Sequence, residues 1–571
     1  MEKKVIRERK LLISEQKWTK WESLILKGTP MRDTEKLDPK KLFHLISGFL
    51  EDGVPDLSGL KKVLATLRGF YAAIWAAADY TILIADIVRT YPLYYWFFEE
   101  ELLISDWLDV NGPRKGGRVS GEELFEFLLA GFVSGPRTIY KDIQALEAGE
   151  VVFIDHASGT VHRARAQAFL PLHPDLPTDI QEGLIPHYLR RLQRALDEST
   201  ERLIKFLDGR TALLPLSGGW DSRTIALQLK RHGYKRVLAF SYGVEGNRES
   251  ATSREVARQL GFEWRFVPYS IEDWQKLRKD EVYWEYLRYA HSGVSLPHIQ
   301  DVLAVKKLVD QGVVEPASFV AVPGHSGDFV AGSHVRLNSL RVRSSEKILD
   351  SLLEKHYGLL TPDVAVTFLR DLLTIESGVG CATPYTCLRR LKTKLRMEMM
   401  SHVDDGFFID AASYLDFWNW NERQSKFIVN SVRAYEFWGL AHWLPLWDKT
   451  FYEFWMHVPL QLRYGRRLNR LFLAELQSSQ GLVLKLGGEG RVRQLRRQIL
   501  HFLDALGFKP TVENILQKLS YVRNKDVYNS HPLQWYGIWE RGEFEKLRRQ
   551  LGFNPTINSL VVLDVLELYR K

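Results

Sequence analysis

From Gly69 onward the chain runs in short apolar segments divided by polar or turn residues: GFYAAIWAA, YTILIAD, LYYWFF and ELLISD. Segments of that length, rich in aromatic and β-branched residues, predict consecutive antiparallel strands. EELFEFLLAGFV then predicts a helix, and EVVFID another strand. The first sixty residues carry mixed charge at helical spacing and no chemistry that can be read. A stretch holding Pro and His between Phe169 and Pro177 reads as a linker. The boundary is therefore placed near residue 175, giving domains of 1–175 and 176–571. Beyond it the period lengthens. HYLRRLQRALDESTERLIKFL has helical spacing, and TALLPL, SRTIALQLKRHG, VLAFSYG and SREVARQLG alternate strand with helix. Such alternation predicts a parallel α/β sheet. From about Ser345 the pattern is mostly helical.

Composition narrows the class. The 571 residues are 45% hydrophobic and 26% charged, which suits two or three globular domains and excludes collagen, coiled coil or global disorder. Two cysteines, Cys381 and Cys387, cannot build a disulfide framework and fit a reducing compartment. The longest apolar stretch, Gly69 to Ala85, is broken by Asp79, and MEKKVIRERK lacks the apolar segment of a secretory signal. A cytoplasmic protein without a membrane span is expected. The net charge of +8 is thin over this length, and no RNA-binding signature accompanies it. The cluster Arg491, Arg493, Arg496 and Arg497 reads as a solvated basic face, so nucleic acid is not expected as a partner.

The sharpest motif is Leu216-Ser217-Gly218-Gly219-Trp220-Asp221-Ser222, between a strand and a helix. Gly218 and Gly219 permit a tight turn whose amides can face an anion. Ser217 and Ser222 add hydroxyls, and the helix that follows turns its positive end to the same place. Asp221 would repel phosphate directly, so its expected task is to hold Mg²⁺ against phosphate oxygens. No Lys adjoins the hydroxyl residue, so this is not a Walker loop.

SGGWDS resembles the SGGxDS loop of the ATP-pyrophosphatase superfamily, which splits ATP into AMP and pyrophosphate. VRTYPLYY, ELLISD and LAGFVSGPRTIYKDIQALEAGEVVFID are similar to segments of asparagine synthetase, and Pro445-Leu446-Trp447-Asp448 resembles its later PFLD signature. The resemblance covers most of residues 65–476 in order. It implies an amino-terminal Ntn-hydrolase-like α+β sandwich lobe, then a parallel-sheet ATP-pyrophosphatase α/β domain with a helical carboxy-terminal part. It also implies ATP and Mg²⁺ as cofactors. Gly324-His325-Ser326-Gly327-Asp328 is similar to the family's GEGxDE loop, which makes Asp328 a second metal carboxylate beside Asp221. Leu216, Tyr242, Pro323 and Gly324 match family positions around the nucleotide.

The departures matter as much. Glu2 follows Met1 where the family has its nucleophilic Cys, and the RGPD segment has no counterpart. A degenerate glutaminase domain is expected, with ammonia or an amine as the donor and a separate glutaminase left open as a source of the nitrogen. His325 replaces a Glu and Phe329 another, which argues against aspartate as substrate. RYGRRLNRLFLAEL fills the place of the family's late Lys with Arg466, Arg467 or Arg470, of which Arg467 is taken as the catalytic candidate. His325 is the other, for contact with the acyl substrate or handling a proton. LPHIQD, VPGHSGDFVAGSH and ERQSKFIVNSVRAYEFWG resemble a subgroup associated with surface-polysaccharide biosynthesis, which implies amidation of a sugar carboxylate. His298, His325 and His334 have a plainer reading as polar cleft residues. A lasso-peptide or β-lactam type macrolactam cyclase, a non-catalytic nucleotide-binding assembly protein and tRNA thiolation stay open, as does a homodimer.

Overall fold

The computed structural model describes residues 5–14, 17–50, 55–109, 117–171, 182–335, 344–372, 383–404, 411–481 and 526–570. The residue 175 boundary, Glu2, Cys381 and the arginine cluster at 491–497 lie outside the described residues.

The amino-terminal part holds two sheets. The larger runs in the order Val161–Arg165, Glu150–Asp155, Tyr80–Ala85, Arg68–Ala76, Leu24–Arg32, Thr19–Trp21, all antiparallel, with Glu35–Lys36 also on Leu24–Arg32. The smaller is Glu8–Leu12, Glu101–Ser105, Tyr94–Phe98, Gln144–Ala145. Side-chain alternation along Leu24–Arg32 serves two layers at once. Leu24 and Leu26 pack with Leu42, Ile46, Leu60 and Leu64 of the helices Pro39–Ile46 and Leu57–Leu64. Ile25 turns the other way, joining Ile74 and Leu83 against Leu102 and Ile104 of the smaller sheet. The far face of that sheet sets Tyr94, Trp96 and Leu103 on Leu124, Phe127 and Leu128 of the helix Gly121–Ala130.

The helical reading of the first residues is corrected here: four strands precede Pro39–Ile46. Leu24–Arg32 escapes detection because Lys27, Gly28 and Pro30 interrupt any period of two. Its register against Arg68–Ala76, from Leu24↔Trp75 to Met31↔Arg68, supplies the order that local pattern lacks.

Past the amphipathic helix Ile185–Leu207, five parallel strands run in the order Glu263–Pro268, Val237–Gly243, Thr211–Pro215, Phe319–Ala321, Ala441–His442. The chain starts in the middle strand and builds outward in both directions. The carboxyl ends of Thr211–Pro215 and Phe319–Ala321 therefore flank the switch point, where loops leave the sheet on opposite sides and open a crevice. A single apolar cluster continues from the helix Gly121–Ala130 into this sheet and the helices around it. No helix among the described residues is long and apolar enough to cross a membrane.

Candidate functional site

The loop after Thr211–Pro215 carries Ser217, Gly218 and Gly219 and leads straight into the helix Trp220–Arg231. Leu216 is buried and its N–H donates to the Phe240 carbonyl (2.9 Å), which fixes the loop's departure from the sheet. The loop is braced from within. The Ser217 N–H donates to Ser222 Oγ (3.2 Å), the Gly219 N–H donates to Ser217 Oγ (3.0 Å), and buried Arg223 holds the Gly218 carbonyl (2.8 Å). Both hydroxyls expected to grip an anion thus also set the loop's shape.

The second loop leaves Phe319–Ala321 through Pro323 and Gly324 and lies directly on the first. A Cβ at Gly324 would stand 2.9 Å from the Ser222 backbone nitrogen, and one at Gly327 would stand 2.9 Å from Asp221 Cγ and 2.5 Å from Leu446 Cδ1. Glycine at these two positions is what lets the loops touch. Ser326 takes a left-handed backbone (φ 63°), and its hydroxyl donates to Gln424 Oε1 (2.7 Å). Gln424 belongs to Asn419–Ile428, a helix of π-type hydrogen bonding. The Pro445–Trp447 turn lies beneath, and Asp448 caps the helix Lys449–Met456 while pairing with buried Arg202 (2.7 Å).

Asp221 sits where the loops meet, with 21% of its side chain still exposed. Burial pushes its carboxyl up to about 6; Arg466 opposes the rise, Asp328 adds to it, and the Asp328 backbone N–H opposes it again. Asp328 is exposed, and its Oδ2 accepts from Ser333 Oγ (2.9 Å). Two carboxylates near enough to disturb one another, one of them reluctant to ionise, make a donor set that fits Mg²⁺ completed by phosphate oxygens. Among the described residues no three His, Cys, Asp or Glu side chains gather into a metal site by themselves.

Of the three arginines open in the sequence, Arg466 is the one paired with Asp221. Gly465 (φ 59°) and Arg466 (φ 58°) both take left-handed backbone just before the helix Arg467–Ser479, which turns this side chain onto the loop. Its guanidinium also lies 4.8 Å from the Trp220 ring centroid. Arg467, the choice made from sequence, starts the helix that follows, with Arg470 one turn on.

Tyr242 ends Val237–Gly243, stacks on Tyr269 (5.1 Å), donates from its hydroxyl to Asp301, and accepts from Gln300 Nε2 (2.9 Å). His325 is held by Ser431 Oγ (3.0 Å from Nε2), and burial pulls its imidazole down to about 4. Neutral at ordinary pH, it suits hydrogen bonding better than carrying a proton. His298 and His334 take the plainer role: the first packs on Phe427, and the second stacks on Phe329 and bonds Asp416. Sequence reasoning passed over Arg423 of the π-helix, which is desolvated and faces the charge of Asp328. No local signal marks it, because π-type winding alters which residues share a face.

The family model described as asparagine synthase matches residues 191–478, which enclose both loops and the Pro445–Asp448 turn. No curated protein matches the chain. Two solved structures align in part. One is a glutamine phosphoribosylpyrophosphate amidotransferase from B. subtilis complexed with ADP and GMP, at 14% identity, 44% of this chain and 71% of that one, TM-score 0.17. The other is the allosteric regulatory enzyme of purine biosynthesis, at 13% identity, 46% of this chain and 62% of that one, TM-score 0.18. Superpositions that slight do not bear on the fold.

Proposed function

Because the chain belongs to the asparagine synthase family, whose members form amides at the expense of ATP, we propose that it activates a carboxylate as an acyl-adenylate and passes the acyl group to ammonia or an amine. The observation that carries this reading is the meeting of Asp221, Asp328 and Arg466 beside a glycine loop at a helix N-terminus.

A carboxylate oxygen of the substrate attacks the α-phosphorus of ATP, and pyrophosphate leaves. Nitrogen then attacks the acyl carbon, AMP departs, and the amide remains. Ser217, Gly218, Gly219 and Ser222, with the N-terminus of the helix Trp220–Arg231, hold the pyrophosphate portion in line for departure. Arg466 is placed to neutralise charge as it gathers there, a task for a fixed cation rather than a proton donor. Asp221 and Asp328 would hold Mg²⁺, which when bound offsets charge on the departing pyrophosphate. Leu216, Tyr242, Pro323 and Gly324 shape the nucleoside end of the crevice, and neutral His325 offers a hydrogen bond to the acyl substrate. The substrate we favour is a sugar carboxylate in surface-polysaccharide biosynthesis, supported by the wording of LPHIQD and ERQSKFIVNSVRAYEFWG. Both segments reach the site, through Gln300 and Asp301 on Tyr242 and through Gln424 on Ser326.

The test uses a panel of ¹⁸O-labelled carboxylates, uronic acids among them, with ATP and ammonia. AMP and pyrophosphate should form, with one labelled oxygen retained in AMP. ADP as main product, or AMP without label, overturns the acyl-adenylate mechanism.

A further inference from the structure

A cavity of about 270 Å³ lies where the amino-terminal sheets meet the helices around residues 289–295 and 430–433, apart from the two loops. Four cationic side chains line it: Lys17, Lys27, Arg89 and Arg433. Two carboxylates answer them. Lys27 reaches Glu436 (3.1 Å) and Asp106 (3.5 Å), and Arg433 pairs with Glu436. Two positive charges are left over.

The surplus is not an accident of the surface. Arg89 is 4% exposed, and its guanidinium has Tyr94 as its partner, through the phenol oxygen (3.2 Å) and over the ring (5.5 Å), with no carboxylate among the described residues. Its Nε is buried without a hydrogen bond, as is Nε of Arg433, itself 5% exposed. Burying a guanidinium with a donor unanswered costs free energy, and for Arg89 the contacts with Tyr94 offset it without an opposing charge. The position is also built. Arg89 takes a left-handed backbone (φ 54°), and Asp86 holds that turn by accepting the N–H groups of Val88 (2.9 Å) and Thr90 (3.1 Å). Lys17 stands at the mouth over the Tyr289 ring (5.1 Å).

We propose that this cavity is a second ligand site that takes a small organic dianion, its two negative charges met by Arg89 and Lys17 and its body lying against Tyr94, Trp107 and Tyr289. Four cations against two carboxylates set the charge of the occupant, and the volume sets its size: larger than a bare inorganic anion, smaller than a nucleoside triphosphate. Phosphate monoester and dicarboxylate share this chemistry. The site does not rest on the nucleotide reading. It is linked to the second loop through neighbouring residues, since Asn430 lines the cavity and the next residue, Ser431, holds His325.

The experiment titrates the full chain with glucose 6-phosphate, succinate, inorganic phosphate and sulfate at constant ionic strength, by calorimetry and thermal shift. One of the two organic dianions should bind at least about tenfold more tightly than sulfate, and which one does so identifies the source. Arg89→Leu and Lys17→Ala should each weaken that binding by roughly tenfold or more, as expected for loss of one charged hydrogen bond. Arg89→Leu should leave the unliganded melting temperature unchanged or raised, because it removes a buried charge that no carboxylate pairs. Lys17 lies at the exposed mouth, so its variant folds whatever becomes of Arg89. If no organic dianion outbinds sulfate, or if Lys17→Ala binds as the parent does, the proposal fails.

Discussion

Replacing Gly324 with alanine is the most direct test of how the two loops meet. The added Cβ would stand 2.9 Å from the Ser222 backbone nitrogen, 3.2 Å from the Asp221 carbonyl carbon and 3.3 Å from Asp221 Cβ. None of these atoms is the free end of a flexible side chain, so relief requires moving a loop. Bringing the shortest contact to an ordinary 3.4 Å calls for a separation of roughly 0.5 Å, and overpacking of that kind costs about 1–3 kcal/mol. The larger effect falls on chemistry. A displacement near 1 Å in a reacting constellation costs about a hundredfold; half of it predicts roughly a tenfold loss in pyrophosphate release. The assay is pyrophosphate release at saturating ATP and Mg²⁺, beside calorimetric titration of ATP and a thermal melt. The expected result is a fall in rate of about tenfold or more with a modestly lowered melting temperature. Parent-level turnover with an unchanged melt would show that the loops do not need this contact and would refute the reasoning.

Two further perturbations follow from the charges. Asp221→Asn should abolish pyrophosphate release while the fold survives, because Asn keeps the size but not the charge that recruits Mg²⁺; near-normal turnover at high Mg²⁺ counts against the assignment. In the parent, the Asp221 carboxyl is pushed up to about 6, so Mg²⁺-dependent ATP binding should rise as pH climbs through 6, and a flat profile between pH 5 and 7.5 would contradict it. Buried His442 is pulled down to about 3, with burial as the main cause and Glu436 opposing. Its folded value lies below its unfolded one near 6.5, so the unfolded chain takes up the proton first and stability falls as pH drops below 6.5. At pH 5 the penalty is about 2 kcal/mol. His442→Phe should lose that part of the acid sensitivity in urea melts at pH 7.5 and 5, and an identical pH dependence in both proteins would sink the claim.

Much of the fold was legible where local pattern and tertiary role agree. TALLPL, VLAFSYG and the helices after each fall where the period of the sequence puts them, since a central parallel strand is apolar throughout and its neighbours are amphipathic. The strands before Pro39 were not, because Leu24–Arg32 owes its form to Arg68–Ala76, a partner some forty residues away. In the site, Asp221 and the glycines could be read from their own loop. Arg466 could not be told from Arg467 or Arg470, since what selects it is a pair of left-handed residues that three nearby arginines do not announce. Arg89 was hidden for a like reason: nothing within VRTYPLYY marks it, and only the folded chain encloses it.

The strand Ala441–His442, two residues long, closes one edge of the parallel sheet. It emerges from the ribosome about 120 residues after Phe319–Ala321 is complete, a wait of roughly six to twenty-four seconds at about 5–20 residues per second. Throughout that interval Phe319–Ala321 stands as an open edge, its backbone groups free to pair with any passing strand. The glycine loop after Thr211–Pro215 exists early in synthesis, but the sheet that supports it is sealed late. Truncated chains ending before residue 441 should therefore aggregate, and a chaperone that shields the edge should raise the yield of full-length protein more than a slower unfolding rate would.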